Sequence, residues 1–255
     1  MKKLASILLF FLVSCSNIPI QESAPSVVGN AAVSSNSSKT EQRKGLGTAW
    51  GETRYSDVTK TPFIRASNTP LTQGMIYYND RIGIRNMTGR STTQINRLIK
   101  LPSGQLSVGL TDERGNVLPT LLYNNQYYVS GEMNARYNIS VQNHTAARLE
   151  IVLSVDGLDV LDGKGAALNK RGYLIEPFGH LNVDGFRQSN DTVAAFRFSP
   201  VSQSYTAQKY SETTNVGVIG IAAFEERGTN WQQLDDIQRR KQANPFPNNN
   251  YATPP

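Results

Sequence analysis

The sequence predicts a mainly β protein, an antiparallel β-sandwich or barrel-like body with one short C-terminal helix. Two observations carry this. Apolar and polar residues alternate from Arg136 to Gln142 and again from Leu149 to Val155, the period of half-buried strands. Short apolar runs separated by Gly, Asp or Pro then recur along residues 105–225, the spacing expected of a sandwich or barrel.

In chain order, Lys2 and Lys3 precede an apolar run from Leu4 to Val13, the basic and hydrophobic regions of a bacterial secretory signal over residues 1–14. That run is far short of the roughly 20 residues needed to span a bilayer. Leu12-Val13-Ser14-Cys15 resembles the bacterial lipobox, whose cysteine is acylated and becomes the first residue of the mature chain. The resemblance implies lipidation of Cys15, the sole cysteine, and a membrane anchor built from several acyl chains. An aspartate after that cysteine would resemble an inner-membrane retention signal. Ser16 and Asn17 stand there instead, so the outer membrane is the expected location, with the periplasmic face as default and surface exposure as the alternative. No thiol is left for a disulfide, and the fold must rest on its core.

About 240 residues remain after the leader, enough for one large domain or two small ones. The formal charge of +6 includes both leader lysines, and what remains is too dispersed to argue for nucleic acid. Residues 16–44 are rich in Ser, Asn and Ala without a sustained period. With Cys15 they read as an anchor and flexible tether over 15–44, reaching roughly 30 Å as a random coil.

The body is expected over residues 45–228 as a single domain. Runs 136–142 and 149–155, separated by the polar Asn143 to Ala146, read as an antiparallel hairpin. Asp156-Gly157 supplies a turn that tolerates positive φ, with Leu158 and Val160 continuing beyond it. Further strands are expected at 105–110, 117–122, 180–183, 193–198 and 215–224, the last apolar on both faces as a central strand would be. The glycines of Gly45 to Gly51 read as loop glycines, and residues 45–100 attach to the body as extra strands and loops. The short helix falls at 229–243, with Asn230 as N-cap and Trp231, Leu234 and Ile237 at three-residue spacing. Residues 244–255 are a Pro- and Asn-rich tail, read as disordered, with a polyproline-type ligand as the lesser reading.

Five strings, Val155 to Val160, Arg171 to Tyr173, Asp184 to Arg187, Val193 to Phe196 and Asn215 to Gly220, together resemble in that order a group of bacterial proteins without assigned activity, many of them predicted lipoproteins. The resemblance implies one coherent domain and carries no chemistry with it.

Candidate chemistry is sparse. Asp156, Asp159 and Asp162 lie three apart, whereas a calcium loop wants acidic ligands at every second position; hairpin turns account for them. His180 and Asp184 would share one side of a strand and could orient a base for Ser189, while His144 falls in a polar loop. Two histidines in all make a zinc centre a poor fit. Glu52, Glu132, Asp156 and Asp184 are candidates for a carboxylate pair of the kind glycoside hydrolysis uses. Arginines beside aromatics stand out: Arg136-Tyr137, Arg171 and Tyr173, and Arg187 after Phe186. Guanidinium and ring are both enriched at binding surfaces, and these residues form the candidate surface, although neighbours on a strand face opposite ways. The expectation is a lipid-anchored binding or assembly module for another envelope protein, without cofactor or metal and without evident catalysis. A peptidoglycan- or polysaccharide-binding module is the alternative, and a carboxylate-dependent hydrolase a further one.

Overall fold

A computed structural model describes residues 43–89, 93–230, 239, 240 and 243, all within one compact unit. Cys15, the leader, nearly all of the tether and the tail lie outside the described residues. So does most of the helix expected at 229–243, of which Arg239 and Arg240 are helical.

The protein is mainly β. Its elements are β1 (Leu46–Tyr55), β2 (Thr72–Asn79), α1 (Arg81–Thr88), β3 (Thr93–Ile95), β4 (Ile99–Lys100), β5 (Leu106–Thr111), β6 (Thr120–Tyr123), β7 (Gln126–Ser130) and β8 (Asn138–Asn143). There follow β9 (Leu149–Val155), β10 (Leu158–Asp159), β11 (Tyr173–Ile175), β12 (His180–Val183), β13 (Gly185–Arg187), β14 (Thr192–Pro200), a 3-10 turn, α2 (Tyr205–Tyr210) and β15 (Val218–Glu225). Three sheets result: β1-β14-β13, the four-stranded β12-β8-β5-β4, and an eight-stranded sheet running β10-β9-β15-β2-β7-β6-β3 with β11 beside β9.

Backbone bonds continue from sheet to sheet. Tyr137 N–H donates to Phe196 O at 3.1 Å, Leu118 N–H to Leu110 O at 2.8 Å, and Arg187 N–H to Val160 O at 2.8 Å. The inward residues of all three sheets share one core, including Leu106, Ile139, Leu153, Phe186, Phe196 and Ile219. Each fully buried side chain of this size contributes roughly 1.5–3 kcal/mol. β15 is the central strand its two apolar faces predict, between β9 and β2. On its far face Ala222 and Phe224 pack with Val152 beneath the Arg65 guanidinium, 3.6 Å from the Phe224 ring.

Several expectations are corrected. β8 and β9 are not a hairpin: β8 pairs with β5 and β12, β9 with β15, β10 and β11. The polar stretch between them is a buried corner, because Asn143 Oδ1 accepts from Thr145 N–H at 2.9 Å while Asn143 Nδ2 donates to Ala147 O at 2.8 Å. The β9–β10 turn is as expected, with Asp156 and Gly157 at φ 55° and 80°. The Gly47 and Gly51 loop is in fact strand β1 with a bulge between Trp50 and Thr53. A Cβ on Gly47 would lie 2.7 Å from Ser204 Cβ and from Val216 Cγ1, so contact rather than flexibility requires the glycine. The sheet is not wholly antiparallel, since β2 and β7 run parallel. Helix α1 was not expected. Asp80 caps it by accepting from Gly83 N–H at 2.6 Å, and its buried residues, Ile84 and Thr88, lie four apart on one face.

Candidate functional site

A dense polar cluster lies in the interior. Asp156 is 1% exposed. Its Oδ2 accepts from Thr48 N–H at 2.8 Å, and its Oδ1 from Gly217 N–H at 2.8 Å and Tyr78 Oη–H at 2.5 Å. Thr48 Oγ1 lies 2.7 Å from Tyr78 Oη and 2.6 Å from Tyr137 Oη. One orientation satisfies every member: Tyr137 donates to Thr48, Thr48 to Tyr78, and Tyr78 to the carboxylate. Burial pushes Asp156 up to about 6 despite its donors, and burial likewise raises both tyrosines well above the ordinary range. Rings of Tyr78, Tyr137 and Phe198 pack against one another with centroids 4.4–6.2 Å apart. The cluster ties β1, β2, β15 and the approach to β8 together; with every oxygen of Asp156 engaged and no exposure, it is a structural keystone.

A cleft of about 890 Å³ lies beside α1. Arg81 and Arg85 line it from the helix, Gln94 and Asp112 from other strands and their ends, and Glu132 and Arg136 from the segment before β8. Arg81 and Arg85 are exposed, and neither side chain makes an ion pair among the described residues. Ile82, Met87 and Met133, at 72%, 45% and 48% exposure, stand out on α1 and the Glu132–Arg136 segment.

Arg136 is committed elsewhere. Its Nη1 donates to Glu52 Oε1 at 2.8 Å and its Nε to Glu113, while Arg197 Nη2 holds Glu52 Oε2 at 2.7 Å. The β1 bulge turns Glu52 toward these two guanidiniums, which lie on antiparallel bridge partners. The bond from Arg197, followed by the charges of Arg197 and Arg136, overrides slight desolvation and lowers the Glu52 carboxyl to about 2. Glu52 is half-exposed, so this network orders the rim more than it stabilises the fold.

The five candidate surface residues do not form one surface. Arg136 reaches the cleft. Tyr137, 1% exposed, is a correction: strand alternation turns it into the core. Arg187 and Tyr173 do meet, Arg187 Nη2 donating to Tyr173 Oη at 3.2 Å, while another of its nitrogens donates to Ser56 O. Arg171 is exposed. Tyr55, at the end of β1, is 76% exposed.

The expected His180–Asp184 pair is not made, because the chain leaves its sheet at Asp184. His180 Nε2 lies 3.3 Å from Ser140 Oγ, Asp184 faces Arg54 at 3.9 Å, and Ser189 binds its own turn. Asp159 accepts from Leu161 and Asp162 N–H, and Asp162 pairs with Lys170 at 2.8 Å. Among the described residues no group of three or more His, Cys, Asp or Glu is placed to hold a metal. Of the four carboxylates considered for glycoside hydrolysis, Glu52 is held ionised by arginines and Asp156 is sealed, while Glu132 lines the cleft.

In comparisons with known proteins, no family model matches the chain, and neither curated proteins nor solved structures give a match.

Proposed function

We propose that the chain is a lipid-anchored binding module of a bacterial envelope, held at the outer membrane through Cys15 and engaging another envelope protein at the face formed by α1 and its cleft. The observation that carries this reading is the pair Arg81 and Arg85, exposed and unpaired among the described residues, beside the exposed Ile82 and Met87 on one helix. Arginine and methionine with apolar neighbours are what protein interfaces enrich, and two guanidiniums without an ion pair among the described residues call for carboxylates. The partner is therefore a protein segment presenting Asp or Glu next to apolar side chains.

The test is in-cell photo-cross-linking of the full chain from position 87, in the native background and with Arg81→Glu and Arg85→Glu together. A discrete protein adduct that needs Cys15 and disappears on charge reversal is expected. An adduct indifferent to charge reversal, or cross-linking to glycan alone, would transfer the argument to the polysaccharide-binding reading.

A further inference from the structure

A second cleft, about 430 Å³, opens on the outer face of the four-stranded sheet. Strand register places Lys100 beside Ser107, Ser107 beside Gln142, and Gln142 beside His180. Leu106, Val108, Ile139 and Val141 point into the core, so alternation turns Ser107 and Gln142 outward. Leu98 crosses this face at Gly109, where an added Cβ would meet Leu98 Cδ2 at 2.9 Å. The crossing makes a wall of Ile95 and Leu98 and carries Arg97 to the rim.

Ser107 Oγ lies 2.7 Å from His144 Nε2, with Ser107 buried and the ring half-buried. The lining holds Arg97, Lys100 and His144 and no acidic residue, unlike the α1 cleft with its Asp112 and Glu132. Arg97 and Lys100 are exposed. Burial, then the charge of Lys100, lowers the His144 pKa, so Lys100 lies close enough to act on the ring. Ser107 Oγ and His144 Nε2 share one hydrogen bond on the cleft wall, and Lys100 and Arg97 supply the charge.

We propose that this cleft binds a small ligand bearing an oxyanion, a carboxylate or phosphate monoester, on an apolar body that lies against Ile95 and Leu98. The site is separate from the α1 face and stands whether or not that face takes a protein.

The test uses the full chain labelled with carbon-13 in its histidine rings. There are two histidines, and His180 reports on the same sheet face without lining the cleft. Phenyl phosphate, phenylacetate and the uncharged benzyl alcohol are titrated in turn. Expected is a saturable shift of the His144 ring, with His180 unmoved, for at least one anion; whichever saturates at lower concentration identifies the headgroup. Lys100→Gln should weaken that anion about tenfold, the loss of one charge-assisted contact, with an unchanged His180 signal certifying the fold. Absence of saturation with both anions, equal saturation by benzyl alcohol, or unchanged affinity in Lys100→Gln would overturn the assignment.

Discussion

Replacing Asp156 by Asn tests the balance struck at the interior keystone. Three donors favour the carboxylate and burial opposes it, and burial prevails: the carboxyl rises from its ordinary 3.8 to about 6. That gap corresponds to about 3 kcal/mol favouring the protonated form in the folded chain. The folded state thus holds this proton more tightly than the unfolded chain. The resulting stabilisation is complete below about pH 4 and is lost as pH rises through about 6. Asn cannot ionise. Its NH2 must face either Thr48 N–H or the Gly217 and Tyr78 donors, a mismatch costing about 1–3 kcal/mol at every pH. The assay is urea unfolding of both chains from about pH 4 to about pH 8, read as their difference so that other titrating groups cancel. The native chain should lose about 3 kcal/mol relative to Asp156→Asn as pH rises over that range. A flat difference would mean that water reaches the carboxylate. A difference of opposite sign would mean that the three donors outweigh burial, and the account of the keystone would fail.

Gly47→Ala should cost about 1–3 kcal/mol by overpacking, since its Cβ meets two side-chain carbons at 2.7 Å; a thermal melt unchanged from the native one would contradict the contact argument for β1. Arg65→Ala removes the partner of Glu150, a residue 4% exposed whose Oε2 receives Arg65 Nε at 2.5 Å. The loss should be about 3–5 kcal/mol by chemical denaturation, moderated by Gly172 N–H, which continues to donate to Glu150. Cys15→Ser should move the chain from the membrane to the soluble fraction on detergent phase separation; retention in the membrane would exclude lipid as the anchor.

Strands whose own pattern sets their fate were legible in the sequence. β9, β12, β14 and β15 fall where alternation or a two-faced apolar run puts them, and Asp156-Gly157 turns as its residue types require. Partner choice was not legible, because pairing depends on residues far away in the chain. Asn143 looks like a solvated loop residue until Thr145 and Ala147 take up its amide. β1 reads as a loop because its glycines answer to Ser204, Val216 and Ala195, contacts invisible locally. α1 is hidden in the sequence because Gly83, Asn86 and Thr88 dilute its helical composition, although Asn79-Asp80 before it and Gly89 after it are cap signals. Of the candidate surface, Arg136 was legible as a strand-flanking outward residue, and the same alternation buries Tyr137. The gathering of His144 and His180 on one sheet face follows from the register of β8 and β12, which the sequence does not state.

The position of β15 also fixes the order in which the molecule can be completed. Synthesis delivers β2 and β9 well before β15, yet β15 is the strand that lies between them. Until it emerges, the largest sheet is two fragments with unpaired inner edges, and Asp156 lacks its Gly217 donor. Such edges are templates for aggregation, and long-range pairings of this kind close slowly. The body is therefore a fold that β15, the last strand among the described residues, locks. Truncation ahead of β15 should yield not a smaller version of the protein but an open, self-adhesive one.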